Sequence, residues 1–321
     1  MKSFFKFILE IFIISLVLGL IIQYVSDNGL KNLKHSRFND WENIIKGSIN
    51  SDIIINGSSR GYVGYNAETI GGILNGSCFN LSFNAGGYYL QQSKFDIYSK
   101  KNKKPKVIIQ NIDLVHFNKN IELPDEAQFI PFINDDVISS FITKYDIKFN
   151  YLKYIPLLKY NQNLQLLKTG LMAHFSSSVH KNEKTFNGYC PQERKFKIDY
   201  HNLEKLDKNY GKIINKQNIR QLLKEMVDFY CVRLNKNAQV FFIWAPENKL
   251  RLDKNFDLER KIIIDELHLI QNKNKNFHFI DMAYDDISNH DEFYYDTFHL
   301  NELGANEFSK KVSMEINKFL N

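Results

Sequence analysis

Apolar residues follow three rhythms along this 321-residue chain. The first is a nearly continuous run from Ile11 to Val25, which extends back to Phe4 when Lys6 and Glu10 sit near an interface. A helix of that length crosses about 30 Å of hydrocarbon. The second rhythm begins at Asp52 and consists of short β-branched or aromatic runs without alternation, at 52–56, 79–83, 106–110, 238–244 and 277–281. The third is helical, at 88–100, 218–234, 258–270 and 302–320. It is plainest in the last segment, where Ala305, Phe308, Val312, Ile316 and Phe319 form one stripe that Asn301 is placed to cap. Non-alternating strands separated by helices predict an α/β fold, a three-layer α/β/α sandwich on a mostly parallel sheet. From Leu114 to about Lys216 the alternation lapses. Residues 151–175 are aromatic and leucine-rich, broken by Pro156, and too long for a simple crossover. They predict an inserted helical lobe. The expected organisation is an anchor at 1–28, a linker at 29–50 and an α/β domain at 51–321 with its insertion at about 115–215.

The flanks of the first run refine its meaning. Gln23-Tyr24-Val25-Ser26-Asp27 offers no small-x-small cleavage site, so the segment reads as an uncleaved single-pass transmembrane anchor. Lys2 and Lys6 favour a cytoplasmic N-terminus, while Lys31, Lys34 and Arg37 pull the other way. The expectation is a cell-membrane protein with its body outside the cytoplasm. A formal charge of +6 and one dense basic run, Lys100 to Lys104 ahead of Pro105, do not build a phosphate-tracking surface, so no nucleic-acid partner is expected. Three cysteines without a C-x-x-C pair allow one bridge at most, and separate buried thiols are the simpler reading. Nine histidines show no ligand spacing, so neither a metal nor a cofactor is expected.

Two segments fall where an α/β sheet presents ligands, at the carboxyl ends of strands. Gly57-Ser58-Ser59-Arg60-Gly61 follows the first strand of the body. A serine on a tight strand-to-helix turn exposes its hydroxyl, and its own N–H faces a developing oxyanion. Asp296-Thr297-Phe298-His299 precedes the terminal helix. A serine nucleophile needs a base held in one tautomer by an acid, and Asp296 is close enough in sequence to orient His299. Alone, the first segment reads as a serine-rich loop and the second as a polar surface turn. Arg60 reads as a surface arginine.

Order and context change that reading. A G-S-S turn early in the domain and Tyr295-Asp296-Thr297-Phe298-His299-Leu300-Asn301-Glu302-Leu303-Gly304-Ala305 near its end resemble the SGNH/GDSL hydrolase superfamily, from about Asp52 to the C-terminus apart from the insertion. The resemblance implies a flavodoxin-like sandwich in which Ser59, third in its block, is the nucleophile, with His299 as base and Asp296 as orienting acid. Ser58 stands where the family has Asp. That departure resembles a membrane-bound branch with proteins of alginate O-acetylation and teichoic-acid D-alanylation, where an extracytoplasmic SGNH-like protein works with a multispanning membrane acyltransferase. The implied partners are an envelope polysaccharide or acylated carbohydrate and such an acyltransferase. For the oxyanion the resemblance points to the Gly86 N–H, with Gly87 next, and to the Asn111 amide. Strict alignment instead puts Asp113 at the Asn place, and an ionised carboxylate cannot donate. Three activities remain open: serine-dependent acyl transfer to a cell-envelope polysaccharide, a carbohydrate or lipid esterase with the same triad, and a non-catalytic polymer- or partner-binding protein.

Overall fold

The computed structural model describes residues 1–117, 123–176, 184–200, 216–252 and 254–320. In chain order the helices and strands are α1 (Lys2–Lys31), α2 (Arg37–Lys46), β1 (Ile53–Asn56), α3 (Ser59–Gly64), α4 (Ala67–Ile73), β2 (Cys78–Asn80), α5 (Tyr88–Ser99) and β3 (Val107–Ile112). They continue with α6 (Asp136–Ile142), α7 (Phe149–Leu152), α8 (Leu164–Phe175), α9 (Lys216–Arg233), β4 (Gln239–Trp244), α10 (Lys254–Lys273), β5 (Phe277–Asp281) and α11 (Glu302–Leu320). They divide into two compact units, Met1–Asn43 with Ile121–Lys184, and Ile44–Asn120 with Thr185–Asn321.

The second unit is the α/β body. Its five strands are all parallel in the order β2-β1-β3-β4-β5. On one face Ile53, Ile55, Ile109, Phe241 and Ile243 pack with Ala305, Phe308, Val312 and Ile316 of α11 in one buried cluster. On the other, Asn56 Nδ2 lies 3.1 Å from the Tyr230 hydroxyl of α9, and Tyr230 also donates to Gln110. Helices therefore cover both faces, which is why these strands are apolar throughout. The stripe expected on α11 is buried except at its end, where Phe319 is half-exposed and its ring lies 4.7 Å from that of His278. Asn301 caps α11 by accepting the Gly304 N–H at 3.0 Å.

The first unit corrects two expectations about organisation. Residues 29–50 do not form a loose linker. α1 runs on to Lys31, and α2 buries Phe38, Trp41 and Ile44. Trp41 donates to Gln128 at 2.8 Å and packs against Phe129, which meets Phe141 edge-on. α1 and most of the insertion thus form one unit, while Thr185 onward returns to the body. The expected end of the insertion, near 215, lies outside the described residues. α1 and α8 cross closely: a Cβ on Gly29 would overlap the Gly170 carbonyl, and one on Gly170 would overlap Ser26. The N-terminal part of α1 carries exposed apolar side chains, and the helix is long and apolar enough to cross a membrane.

None of the three cysteines forms a disulfide. Cys78 and Cys190 are buried as expected, but Cys231 is exposed.

Candidate active site

Strand order reverses around β1, which has β2 on one side and β3 on the other. Loops leaving the carboxyl ends of β1 and β3 diverge at such a point and open a crevice. Ser59 sits at that end of β1 as the first residue of α3. Ser58 is the cap, its hydroxyl accepting the Arg60 N–H at 3.3 Å while it donates to the Asp113 carboxylate beyond β3. Position 58 therefore ties together the two loops that border the crevice.

Glycines 57 and 61 are needed here for close approach rather than for a left-handed backbone. A Cβ on Gly57 would come 2.9 Å from Asn111 Cβ. One on Gly61 would overlap Ser82 Oγ and lie 3.1 Å from Ser82 Cβ. That Ser82 hydroxyl is buried without a hydrogen-bond partner in the protein. Gly61→Ala is expected to lower stability by about 1–3 kcal/mol through overpacking. Ser82→Ala removes an unsatisfied hydroxyl and the overlapping atom together, so it should be neutral or stabilising and should restore part of the loss in the double variant. Urea midpoints of the four proteins check this, and strictly additive losses would refute the contact.

His299 arrives from the loop before α11. Its Nε2 lies 2.8 Å from Ser59 Oγ, and its Nδ1 lies 3.0 Å from both carboxylate oxygens of Asp296. With Nδ1–H donated to the carboxylate, Nε2 is left to accept the serine proton. Asp296 is itself held: its Oδ1 accepts the N–H of Phe298 at 2.7 Å and of His299 at 2.8 Å. Burial pushes the Asp296 carboxyl up, but the hydrogen bond and charge interaction with His299 and the two backbone donors outweigh it, so its pKa lies below the usual value. The carboxylate is ionised at neutral pH. The three side chains expected to act together are thus joined in one hydrogen-bonded chain.

Further contacts fix the histidine, and the sequence did not flag them. The Tyr295 ring stacks on the His299 imidazole at 5.3 Å with the planes 4° apart. Arg194 lies 4.0 Å over the Tyr295 ring, its guanidinium held by the Gln192 side chain. Arg251 lies 4.4 Å over Phe298. The sequence places Tyr295 one residue before Asp296, but residue type does not show that its ring stacks on the imidazole.

Arg60 departs from expectation. It is 7% exposed and pairs with Glu247, which also accepts from Trp244 at 2.9 Å and pairs with Arg251. Its second terminal nitrogen donates to the carbonyls of Ala245 and Pro246. Arg60 therefore ties the turn that carries Ser59 to the loop after β4 rather than facing solvent.

Both oxyanion assignments need correction. The Gly86 N–H donates to the Phe83 carbonyl at 2.9 Å, and its carbonyl accepts from Gln91 at 2.8 Å, so the turn closes on itself. A Cβ on Gly86 would lie 2.8 Å from Phe83 Cβ, which explains the glycine without any catalytic role. Asn111 is fully buried, accepting from the Tyr65 hydroxyl at 2.9 Å and donating to Asp113 at 3.0 Å. It supports the turn from behind. Among the described residues, the N–H groups of Ser59, Ala85 and Gly87 have no protein acceptor. Ala85 adopts φ +56°, a left-handed backbone that costs a non-glycine residue about 1 kcal/mol.

No protein-family model and no curated protein matches this chain. Among solved structures it is similar to an active-site mutant of a family two carbohydrate esterase from Clostridium thermocellum in complex with celluohexase, at 8% identity and a TM-score of 0.43. The match covers 84% of this chain and spans 64% of the length of that one.

Proposed function

We propose that this protein is an SGNH-type serine enzyme that moves acyl groups on a cell-envelope polysaccharide. The observation that carries the reading is the unbroken chain Ser59–His299–Asp296 at the carboxyl end of β1, made from residues 240 positions apart. In the proposed reaction His299 Nε2 takes the Ser59 proton as Oγ attacks the acyl carbonyl. Asp296 stabilises the resulting imidazolium. The tetrahedral oxyanion is received by the Ser59 N–H and by a free N–H of the Asn84–Gly87 turn, Gly87 in place of Gly86. Collapse breaks the acyl–oxygen bond, and the leaving alcohol takes the proton from His299. A sugar hydroxyl then attacks the acyl-enzyme, losing its proton to His299; collapse breaks the Ser59 Oγ–acyl bond, Oγ takes the proton back from His299, and the new ester leaves.

The long apolar α1 supports an enzyme held at a membrane and facing polymers outside it, alongside a multispanning acyltransferase that supplies the acyl group. Incubation of the detergent-solubilised full chain with an activated acetyl ester and an acetyl-free oligosaccharide should give acetylated sugar, read by mass spectrometry. Acetate alone would make the protein an esterase of the same chemistry. A fluorophosphonate should modify Ser59, mapped by peptide sequencing. Absence of any adduct would remove the catalytic reading and leave a polymer-binding protein.

A further inference from the structure

The first unit holds a surface that acyl chemistry does not use. The apolar run of α1 ends at Val25, and Gly19 lies about 9 Å of helix before that end. One face of α1 is nonetheless buried by protein at this depth, at Gly19, Gln23 and Ser26, while its other residues up to Ile22 are exposed. The covering segment is 156–167. Pro156 Cβ is 3.0 Å from where a Gly19 Cβ would stand, and the Leu157 N–H donates to Gln23 Oε1 at 2.8 Å. A step further along α1, Lys159 and the Tyr160 hydroxyl reach Asp27 at 2.7 and 2.6 Å, and Ser26 donates to the Leu167 carbonyl at 3.1 Å.

α8 runs in the same direction as α1, because Leu167 meets Ser26 while Gly170 meets Gly29. Its first residue, Leu164, therefore lies nearer the apolar run than Leu167 does. Leu164 is 67% exposed. Beside Pro156, at the level of Gly19, Tyr154 is 74% and Ile155 58% exposed, and Tyr151 on α7 is 56% exposed. Lys153 stands with its ammonium 5.5 Å over the Tyr154 ring. Tyrosines, aliphatic tips and snorkelling lysine are the composition of a membrane–water interface.

We propose that residues 151–164 form a second membrane contact, seated in the headgroup and upper acyl-chain region of the leaflet at the C-terminal end of α1. The proposal rests on α1 spanning that bilayer. Gln23, a polar residue inside the apolar run, is then satisfied by protein rather than left without a partner in hydrocarbon. Two contacts fix the tilt and rotation of the anchor, as a single helix on its own does not.

The test uses the full chain in nanodiscs of phosphatidylethanolamine and phosphatidylglycerol. Nitroxides are placed at Ile155→Cys, Tyr154→Cys and Phe12→Cys in a Cys231→Ser background, and at native Cys231 as the aqueous reference. Collision with oxygen is compared with collision with a water-soluble nickel chelate. The expected result is oxygen exceeding nickel at 154, 155 and 12, with the ratio inverted at 231. Labels at 154 and 155 as nickel-accessible as that at 231, with 12 still in lipid, would overturn the second contact and leave the span intact. Protection of 154 and 155 from both reagents would overturn it in favour of a protein partner. Nickel access at 12 would remove the span and the proposal with it.

Discussion

Ser59→Ala is expected to lower turnover of an activated acetyl ester by a factor on the order of 10⁶ while leaving the fold intact. The loss is large because every bond-making step in the proposed reaction passes through Oγ. With it gone, only oxyanion donors and binding remain, and such remnants still accelerate reactions by roughly 10³–10⁴ over water. Stability should hardly move. Ser59 is partly exposed, heads a short helix that tolerates alanine, and uses its hydroxyl on His299 alone, whereas the capping bond belongs to Ser58. Initial rates on 4-nitrophenyl acetate with circular dichroism melting on the same samples separate the two effects. A rate within tenfold of the parent at an unchanged melting temperature would exclude Ser59 as nucleophile.

Asp296→Asn should cost roughly 10⁴ in turnover, about 5 kcal/mol of barrier, although it changes almost no volume. The amide oxygen can keep accepting the Phe298 and His299 N–H groups, so the loop should hold its shape. The amide nitrogen then faces Nδ1 and donates to it. That forces the proton onto Nε2, and the imidazole presents a donor to Ser59 where an acceptor is needed. The same substitution has a pH signature in stability. Because the folded pKa of Asp296 is depressed, the carboxylate's contribution is fully present above the ordinary value near 3.9 and is lost as pH falls through the folded value. The melting-temperature advantage of the parent over Asp296→Asn should therefore shrink as pH falls below about 4. A gap that widens on acidification would contradict the ionised, hydrogen-bonded state.

The body was readable because its signals are local. Ile53, Ile54 and Ile55 report a strand buried on both faces without reference to anything else, and the stripe from Ala305 to Ile316 reports one helical face. Ser59, His299 and Asp296 could be paired only because the order of their blocks resembles a known arrangement. The donors failed for a different reason. Whether the Gly86 N–H is free depends on where the Phe83 carbonyl points, and Asn111 is turned inward by Tyr65 and Asp113. Such facts belong to the folded backbone and are not written in residue type. Arg60 was misread likewise, since its buried partner Glu247 lies 187 positions away. The linker was misread because Trp41 is buried against Gln128 and Phe129, in a unit assembled from two distant stretches of chain.

The 240-residue separation of Ser59 from His299 also sets a timetable. Ser59 emerges from the ribosome well before His299. At roughly 5–20 residues per second, about 10–50 seconds pass between the two. During that interval the serine has neither its base nor the α11 layer behind its sheet. On the proposed mechanism the site thus stays inert until His299 and α11 have joined the sheet.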